Sequence, residues 1–535
     1  MLGSSAVDHH SPGPQATASV KISNEISSVK DHSIVTRFDY DKCQSKLREF
    51  VYREMPMNVI KLPEMKLMER AAVVDYLSTK LEEYLRNQDS AENVVGSSTA
   101  HNLVDNFIKE NGRFAILSHT WGKEELSYKD MRKQRNLRGQ GYEKLKNFCT
   151  ISHTDYGVEF GWMDTVCIDK SSSVELDESI RSMFAWYQES YVCIVHLAGS
   201  RTLADVAHDR WFTRGWTLQE LLAPTRIRFY GTDWHPLVSG PRYDKGWDLD
   251  TWLAFNRGRE SPILPIVAEA AGVDLRVIRL KPFRPDTSVV STPMKWIARR
   301  NTTRGEDKAY CMMGLFGVSI SIAYGEGAQR AFFRLFEAIL KVSNSPDLFS
   351  WAGEPVNQII HPSRMIPSSA KCYLNTAWLE TAIEWTADEN AVPVEPATLT
   401  SLGMRMTMLL VPVELRMTPR NSSMVFSTEA ECTLSKQDLQ LSWFTLPGET
   451  SSWPGDRPEY RVAIWNIKPT TRPVPSHAAA VLLRRWPRAR NRERYTWHRV
   501  LMQTSAITFD TKEGLQSKTV DELKDLSITI ETLYL

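Results

Sequence analysis

Residues 113–122 read RFAILSHTWG, a short apolar run that ends in a glycine turn. Such a run is typical of a strand that is buried on both faces of a parallel sheet. Three similar runs follow along the chain, at 161–170 (GWMDTVCIDK), 191–199 (YVCIVHLAG) and 226–234 (RIRFYGTDW). Helical patterns lie between them, and strands that alternate with helices predict an α/β fold with a mainly parallel sheet flanked by helices. In such sheets, ligands bind beyond the carboxyl ends of the strands.

The segment 172–190 (SSVELDESIRSMFAWYQES) carries the clearest helical pattern. Ser172 and Glu175 stand at the S-x-x-E spacing of a capping box, which predicts that the helix begins there. Apolar residues behind the box recur at helical spacing and predict one buried stripe, formed by Leu176, Ile180, Met183, Phe184 and Tyr187.

The rest of the chain divides into four regions of different composition, since its 535 residues are too many for one hydrophobic core. Residues 1–35 are rich in Ser, Pro and His, which predicts disorder. Residues 36–110 carry helical patterns, for example at 65–88. Residues 236–355 are mostly helical in pattern. Residues 356–535 contain β-type runs among Pro and Ser, which predict a separate β-rich domain.

Composition limits the classes of function. Hydrophobic residues make up 42% of the chain, charged residues 24%, and the net charge is +1. This balance is typical of a soluble globular protein and gives no global field for nucleic acid or anionic membranes. The N-terminus lacks a signal-peptide pattern, and no apolar run approaches the roughly 18 residues of a membrane span. We therefore expect a cytoplasmic protein with no membrane partner.

Seven cysteines occur without a C-x-x-C pair, which argues against a disulfide framework and against a structural zinc site. One basic stretch, RRWPRARNRER (484–494), fits either a nucleic-acid contact or a charged loop between β-runs. We favour the loop, and we expect no nucleic-acid partner.

Residues 211–224 read WFTRGWTLQELLAP and place one carboxylate among three leucines. On a helix, the leucines fall on one side, whereas Trp216 and Glu220 are i, i+4 neighbours on the other. An aromatic ring beside a carboxylate suits the N-glycosidic bond between a ribose and a flat base. The ring stacks, and the carboxylate stabilises positive charge at the anomeric carbon. The alternative is that Glu220 is a solvated charge on the outer face of a surface helix.

Further candidates follow the first two predicted strands. Ser118, His119 and Trp121 lie in a loop where a parallel sheet binds ligands. His119 suits a phosphate or a ribose, but Ser118 and His119 also fit a structural role, in which they hold the loop by side-chain to backbone bonds. Asp164 and Asp169 flank the end of the second strand and fit either metal binding or structural bonding. No third ligand is evident, so we expect no metal.

A serine or cysteine hydrolase is the rival class of enzyme. Cys167 lies within an apolar run, which predicts a buried and unreactive thiol. No G-x-S-x-G motif occurs in the chain. Ser118 and His119 are adjacent, and neighbours in a strand point to opposite faces. These features argue against a nucleophile paired with a base.

Four stretches resemble the fungal heterokaryon-incompatibility (HET) domain in sequence, order and spacing over residues 113–235. They are FAILSHTWG (114–122), GWMDTVCIDK (161–170), LDESIRSMFAWYQESYVCIV (176–195) and RWFTRGWTLQELLAP (210–224). The resemblance implies a role in fungal non-self recognition and in programmed cell death after the fusion of unlike cells. The segments ARRNTTRGEDKAYCMMGLFGV and YGEGAQRAFFRL resemble the region that often follows this domain.

The HET domain is in turn similar to the Toll/interleukin-1-receptor (TIR) fold, a flavodoxin-like sheet. In that fold the first strand ends in a loop that contains serine, and a later helix carries a W-C-x-x-E-L pattern. Its glutamate is catalytic in the members that cleave NAD. Here the matching string runs from Trp216 to Leu221, with Thr217 in the place of the cysteine. The resemblance implies that Glu220 is catalytic, and that NAD is a substrate and not a bound cofactor.

Two functions therefore stay open. In the first, the TIR-like domain cleaves NAD or a related nucleotide, with Glu220 as the catalytic residue. The second is a non-catalytic assembly module that acts through self-association or through other incompatibility proteins. In both, the β-rich C-terminal region serves to recognise a partner or to restrain the HET domain. The substrate-binding residues of the first hypothesis are Ser118, His119, Trp121, Asp164 and Trp216.

Overall fold

The structure is a computed structural model, and it describes most of the chain from residue 40 onward. Both the predicted disordered segment 1–35 and most of the basic stretch 484–494 lie outside the described residues. Within the described part, no helix combines the length and the apolarity needed to cross a membrane. The described residues are 40–89, 97–240, 242–246, 261–279, 282–343, 345–374, 395–419, 426–432, 459–467, 470–475, 477–485, 497–500, 507–510 and 513–535.

Six strands form the first sheet, in the order β2-β1-β4-β3-β5-β6. The pairs β3–β4, β3–β5 and β5–β6 are parallel, whereas β1 pairs antiparallel with both β2 and β4. The predicted α/β fold with a mainly parallel sheet is confirmed. The strands are β1 (Asn58–Lys61), β2 (Lys66–Glu69), β3 (Phe114–His119), β4 (Phe160–Trp162), β5 (Val192–His196) and β6 (Ile227–Tyr230).

The hairpin of β1 and β2 was not predicted from the sequence. Residues 66–69 fall within the segment 65–88, where helical spacing predicted a helix, but the helix begins only at Arg70. The Asn58 side chain donates hydrogen bonds to the carbonyl of Cys167 (3.1 Å) and to Glu175 (2.9 Å). The hairpin is therefore fixed by distant parts of the chain, and such tertiary pairing overrides local periodicity.

Within the described residues, eight α-helices accompany this sheet. Ser172 caps the helix that the sequence predicted at 172–190, because its hydroxyl accepts the backbone N–H of Glu175 at 3.3 Å. The Glu175 carboxylate does not bond back to Ser172 and instead accepts the backbone N–H of Asp169 at 2.8 Å. The helices are α1 (Tyr40–Glu54), α2 (Arg70–Asp89), α3 (Ser97–Asn111), α4 (Tyr128–Lys133), α5 (Gly139–Thr154), α6 (Asp164–Cys167), α7 (Ser173–Glu189) and α8 (Thr217–Leu222).

A group of short helices follows the sheet, as the sequence predicted for this region, and we call it the helical extension. It packs closely on α7, since a Cβ at Gly314 would overlap the side chain of Phe184. The extension therefore contacts the α/β sheet region through one of the helices that flank the sheet. Its helices are α9 (Ile263–Ala271), α10 (Leu275–Arg279), α11 (Ser291–Ala298), α12 (Asp307–Tyr310), α13 (Met313–Phe316) and α14 (Ala328–Leu340).

An antiparallel sheet occupies the C-terminal part of the chain, where the sequence predicted β-rich structure. Side chains along β8 alternate between two cores, as the period of a strand requires. Met404, Met406 and Met408 join the large core shared with the helices, whereas Leu409 and Val411 join a smaller core. The elements are β7 (Thr398–Thr400), β8 (Gly403–Pro419), β9 (Phe426–Cys432), β10 (Glu459–Ile464), β11 (His477–Arg485), β12 (His498–Arg499), β13 (Ile507–Asp510), α15 (Glu513–Gln516), α16 (Val520–Asp525) and β14 (Thr529–Tyr534).

Candidate functional site

A cavity of about 220 Å3 opens beyond the carboxyl ends of β3 and β4, where a parallel sheet places its ligands. One wall comes from the end of β3, the loop after β4, helix α7 and the start of α8. The other wall comes from the helical extension, through residues 301–304, Asp307 and Tyr324. The cavity therefore lies between two segments that are distant in sequence.

Glu220 lines this cavity although its side chain is buried, with a relative exposure of 8%. The Ser118 hydroxyl donates a hydrogen bond to Glu220 Oε2 at 2.5 Å. The indole N–H of Trp211 donates to Ser118 Oγ at 2.7 Å. Because an indole N–H can only donate, Ser118 must accept it and is left with its own proton for Glu220. The three residues form a directed chain that ends on the carboxyl group.

The alternative that Glu220 is a solvated surface charge is wrong. Every residue of α8 is buried, including those on the side opposite the leucines. That side is covered by Ser118 and by Arg300 of the extension, whose guanidinium donates to the carbonyl of Arg214 and to Thr217 Oγ1, both at 3.0 Å. Helical spacing correctly placed Trp216 and Glu220 on one surface, and that surface is the wall of the cavity.

Burial raises the pKa of Glu220 to about 8. The hydrogen bond from Ser118 opposes this rise, and so do the positive charges of Arg214 and Arg300, whereas the charge of Asp164 adds to it. The carboxyl group is therefore mostly protonated at pH 7 in the free protein.

His119 also lines the cavity and is buried. Its Nε2 lies 3.8 Å from Glu125 Oε2 and 3.9 Å from Asp164 Oδ1, too far for hydrogen bonds. Among the described residues, Nε2 has no hydrogen-bond partner. Burial, with a smaller contribution from the charge of Lys144, holds the pKa of His119 well below its usual value. The imidazole is neutral at pH 7 and can hydrogen-bond a ligand hydroxyl.

Trp121 and Asp164 meet at the mouth of the cavity. The indole N–H of Trp121 donates to Asp164 Oδ2 at 2.9 Å, and the Trp121 side chain is 41% exposed. Burial raises the pKa of Asp164, and the charge of Lys170 opposes that rise. Asp169 does not join them, because its carboxylate accepts the backbone N–H and the hydroxyl of Ser171. The described residues contain no group of three side chains suited to holding a metal ion.

The five predicted substrate-binding residues thus lie together with Glu220. His119, Trp121, Asp164 and Trp216 line the cavity itself, and Ser118 bonds the carboxyl group from behind. Their functional roles stay predictions. The hydrolase alternative loses support, because Ser118 is bonded to a tryptophan and a glutamate, and burial raises the pKa of the Cys167 thiol far above neutrality.

Sequence reasoning missed the contribution of the helical extension. Asp307 is buried, and the Tyr324 hydroxyl donates to its Oδ1 at 2.8 Å. Burial raises the pKa of Asp307, while hydrogen bonds from Tyr324 and Trp216 oppose that rise. The polar string TRGED (303–307) between helical patterns is the signal that could have identified this wall.

Comparisons with known proteins agree with the HET resemblance. The family model for the heterokaryon incompatibility protein (HET) matches residues 114–207, which include Ser118 but end before Glu220. Vegetative incompatibility protein HET-E-1 of Podospora anserina is 39% identical over 241 residues, which are 43% of this chain and 16% of that protein. This chain therefore matches only a small part of that relative's length. No solved structure gives a significant match. The chain carries a heterokaryon-incompatibility domain.

Proposed function

We propose that this protein acts in heterokaryon incompatibility and cell death by hydrolysing the N-glycosidic bond of NAD, or of a related nucleotide, in a TIR-like site. The observation that carries the proposal is the position of Glu220, a buried carboxyl group held by Ser118 on the wall of a cavity. The incompatibility role rests on the HET domain and on the similarity to HET-E-1, a vegetative incompatibility protein.

The order of the parallel strands supports a TIR-like assignment. Taken as the first four parallel strands, β3, β4, β5 and β6 lie in the spatial order 2-1-3-4. This order is the beginning of the flavodoxin-like order 2-1-3-4-5, in which the ligand binds where the strand order reverses. Here that point is the carboxyl end of β3, next to Ser118 and His119. The Trp216–Leu221 string leads into α8, which carries Glu220 to the same place.

The chemistry requires a negative charge beside the anomeric carbon of the ribose. Cleavage breaks the bond between that carbon and the nicotinamide nitrogen, and the bond electrons neutralise the ring as it leaves. Water then supplies hydroxide to the carbon and a proton to the solvent. The positive charge that develops on the ribose is stabilised by ionised Glu220. Because the bound nicotinamide ring is itself cationic, it favours the ionised form of Glu220 and lowers the pKa of that carboxyl group.

The other cavity residues have complementary roles in this proposal. Trp216 provides an aromatic wall on which the base or the ribose stacks. The unpartnered Nε2 of neutral His119 bonds a ribose hydroxyl. Trp121 and Asp164 close the side of the cavity next to the loop after β3. Ser118 positions the carboxyl group without touching the substrate.

Nicotinamide release by the purified full chain tests the proposal. We expect release from NAD by the natural sequence and almost none by Glu220→Gln, which keeps the shape of the side chain and removes its charge. No release at any protein concentration, including those at which the chain self-associates, would contradict hydrolysis and favour a non-catalytic assembly module. In cells that die when the protein is produced, unchanged killing by Glu220→Gln would exclude catalysis by this residue.

A further inference from the structure

The mouth of the cavity carries three cationic side chains, Lys170, Arg214 and Arg304. We infer that these three residues bind the diphosphate of a dinucleotide, so that the cavity selects substrates that contain this group over the corresponding nucleoside. The inference rests on the proposed function, because it assigns the outer part of the same site. It names a specificity-determining surface that the catalytic proposal leaves without a role.

These three cations lack ion-pair partners among the described residues. Within the described part of the chain, none of them has a carboxylate at ion-pair distance, whereas nearby Lys144 is paired with Glu125. Cations without an ion-pair partner at a cavity mouth favour an anionic ligand, although Asp164, Glu220 and Asp307 line the same cavity.

Aromatic rings hold two of the cations in place. The Lys170 ammonium lies 3.9 Å from the centre of the Trp121 ring, and the Arg304 guanidinium lies 3.9 Å from the centre of the Tyr324 ring. Arg214 lies 5.5 Å from the Trp121 ring. Cation–π contacts fix the charge while leaving its N–H groups free to donate. The planar guanidinium groups then match the oxygens of phosphate groups in pairs.

The size of the cavity indicates which part of a dinucleotide meets these charges. Its volume of about 220 Å3 is below the range of about 300–1,000 Å3 that encloses a drug-sized ligand. The cavity therefore encloses one nucleoside at most. With the anomeric carbon at Glu220, the rest of the ligand must pass out through the mouth, and in a dinucleotide the next group is the diphosphate. Its two negative charges meet Lys170, Arg214 and Arg304 there.

Steady-state kinetics of the full chain provide the first test, with Lys170→Gln, Arg214→Gln and Arg304→Gln as the variants. Since a hydrogen bond to a charged group contributes about 1.5–3 kcal/mol, we expect each variant to raise the KM for NAD by about tenfold or more. For Lys170→Gln and Arg304→Gln we expect kcat to change by less than about twofold, because these side chains do not touch the reacting atoms. Arg214→Gln should also lower kcat, since the Arg214 charge favours ionised Glu220. The KM for nicotinamide riboside, which lacks phosphate, should not change.

Lys133→Gln and Arg135→Gln are the matched controls. Both residues are exposed and do not line the cavity, and each substitution changes the net charge by the same amount as the test variants. An unchanged KM for NAD in all three test variants would overturn the inference. An equal rise in KM for NAD and nicotinamide riboside would also overturn it, since the cations would then act on something other than the diphosphate.

Direct binding of ADP separates this inference from the proposed hydrolysis, because ADP contains the diphosphate and no scissile nicotinamide bond. We expect the full chain to bind ADP, measured by calorimetry, and to bind it more weakly as salt is added. If ADP binds through the three cations but NAD is not hydrolysed, the diphosphate site stands and the catalytic proposal fails. If NAD is hydrolysed but ADP does not bind, hydrolysis stands and the diphosphate site fails.

Discussion

Glu220 and Glu159 lie at opposite ends of the parallel strands of one sheet, and they differ in the charges that surround them. Glu159 precedes β4 and accepts hydrogen bonds from Lys61 (3.1 Å), Lys80 (2.5 Å) and Tyr76 (2.6 Å). Burial alone would raise the pKa of Glu159, but these donors lower it to about 2. Glu220 has no ion-pair partner among the described residues, and its pKa is raised to about 8.

The difference indicates that Glu159, at one end of the strands, stabilises the fold, whereas Glu220, at the other end, serves the site. A carboxylate that is paired in the folded state stabilises the fold, whereas one that is buried without an ion-pair partner costs stability. A protein retains the second kind of residue where its chemistry needs it, and perturbed carboxyl groups therefore cluster at functional sites. Three variants and one measurement on the natural protein test whether the two carboxyl groups have these different roles.

The largest effect is expected from Glu220→Gln. Nicotinamide release should fall by about 10³-fold, in the range found for the loss of a key electrostatic contact. The same change should increase the free energy of unfolding by about 3 kcal/mol at pH 7, because the folded protein no longer has to protonate a buried acid. Both are measured on one preparation, by an activity assay and by chemical denaturation.

The stability gain from Glu220→Gln should depend on pH. A folded-state pKa raised to about 8 means that the natural protein is stabilised by Glu220 protonation at low pH and loses this stability as pH rises through 8. The gain from Glu220→Gln should be absent near pH 4 and largest above pH 8. A variant that is less stable than the natural protein at pH 8 would show that Glu220 is a structural residue.

Glu159→Gln should lower stability and leave activity nearly unchanged, the opposite of Glu220→Gln. We expect it to lower the free energy of unfolding by about 1–2 kcal/mol at pH 7, which is less than the pKa shift alone implies because solvent screens this partly exposed group. Nicotinamide release should stay within about twofold. Because the folded-state pKa of Glu159 is lowered to about 2, its stabilisation is complete above pH 4.5 and lost as pH falls through 2. Denaturation at pH 7 and pH 3 measures this. A large loss of activity in folded Glu159→Gln would contradict a purely structural role for Glu159.

Ser118→Ala should reduce nicotinamide release at pH 7 by about tenfold. The substitution removes a hydrogen bond that favours ionised Glu220, so the pKa of Glu220 rises further and less of the active form is present. Activity should recover as pH is raised, which a merely structural defect would not do. Ser152→Ala is the matched control, since Ser152 is buried and its hydroxyl donates only to the carbonyl of Phe148 (2.7 Å).

The last prediction concerns the natural protein alone. Its kcat/KM for NAD should rise about tenfold per pH unit below pH 8 and level off above it, since kcat/KM reports the pKa of Glu220 in the free protein. The dependence of kcat should be shifted to lower pH, because the cationic substrate favours the carboxylate. A kcat/KM that is flat from pH 6 to pH 9 would be incompatible with Glu220 acting as an anion with this pKa.

Local patterns in the sequence were sufficient for β3, β5 and β6, for the start of α7 and for the pairing of Trp216 with Glu220 on one surface. Each of these depends on residues within about four positions of one another. The run at 161–170 was predicted as a strand, but only its first two residues belong to β4, and helix α6 (Asp164–Cys167) follows. The surroundings of Glu220 were not predictable in this way. Ser118 is 102 positions away, and the sequence showed it only as a loop residue.

The hairpin of β1 and β2 and the wall from the helical extension were missed for the same reason. The hairpin forms because β1 pairs with β4, about 100 positions further along the chain. The wall at 301–307 is complete only when the extension packs back on α7, through the close approach of Gly314 to Phe184. Neither contact leaves a periodic signal in its own segment.

The two-sided origin of the cavity has a consequence for how this domain can be transplanted or shortened. Residues 114–207, the part that matches the family model, contain Ser118 but neither Glu220 nor the opposite wall at 301–307. A fragment cut at residue 207 would carry a recognisable domain with half of a site. In chimaeras between related proteins, a crossover point between 230 and 300 would combine one cavity wall from each protein. The activity of such a chimaera would depend on how well the two walls pack together.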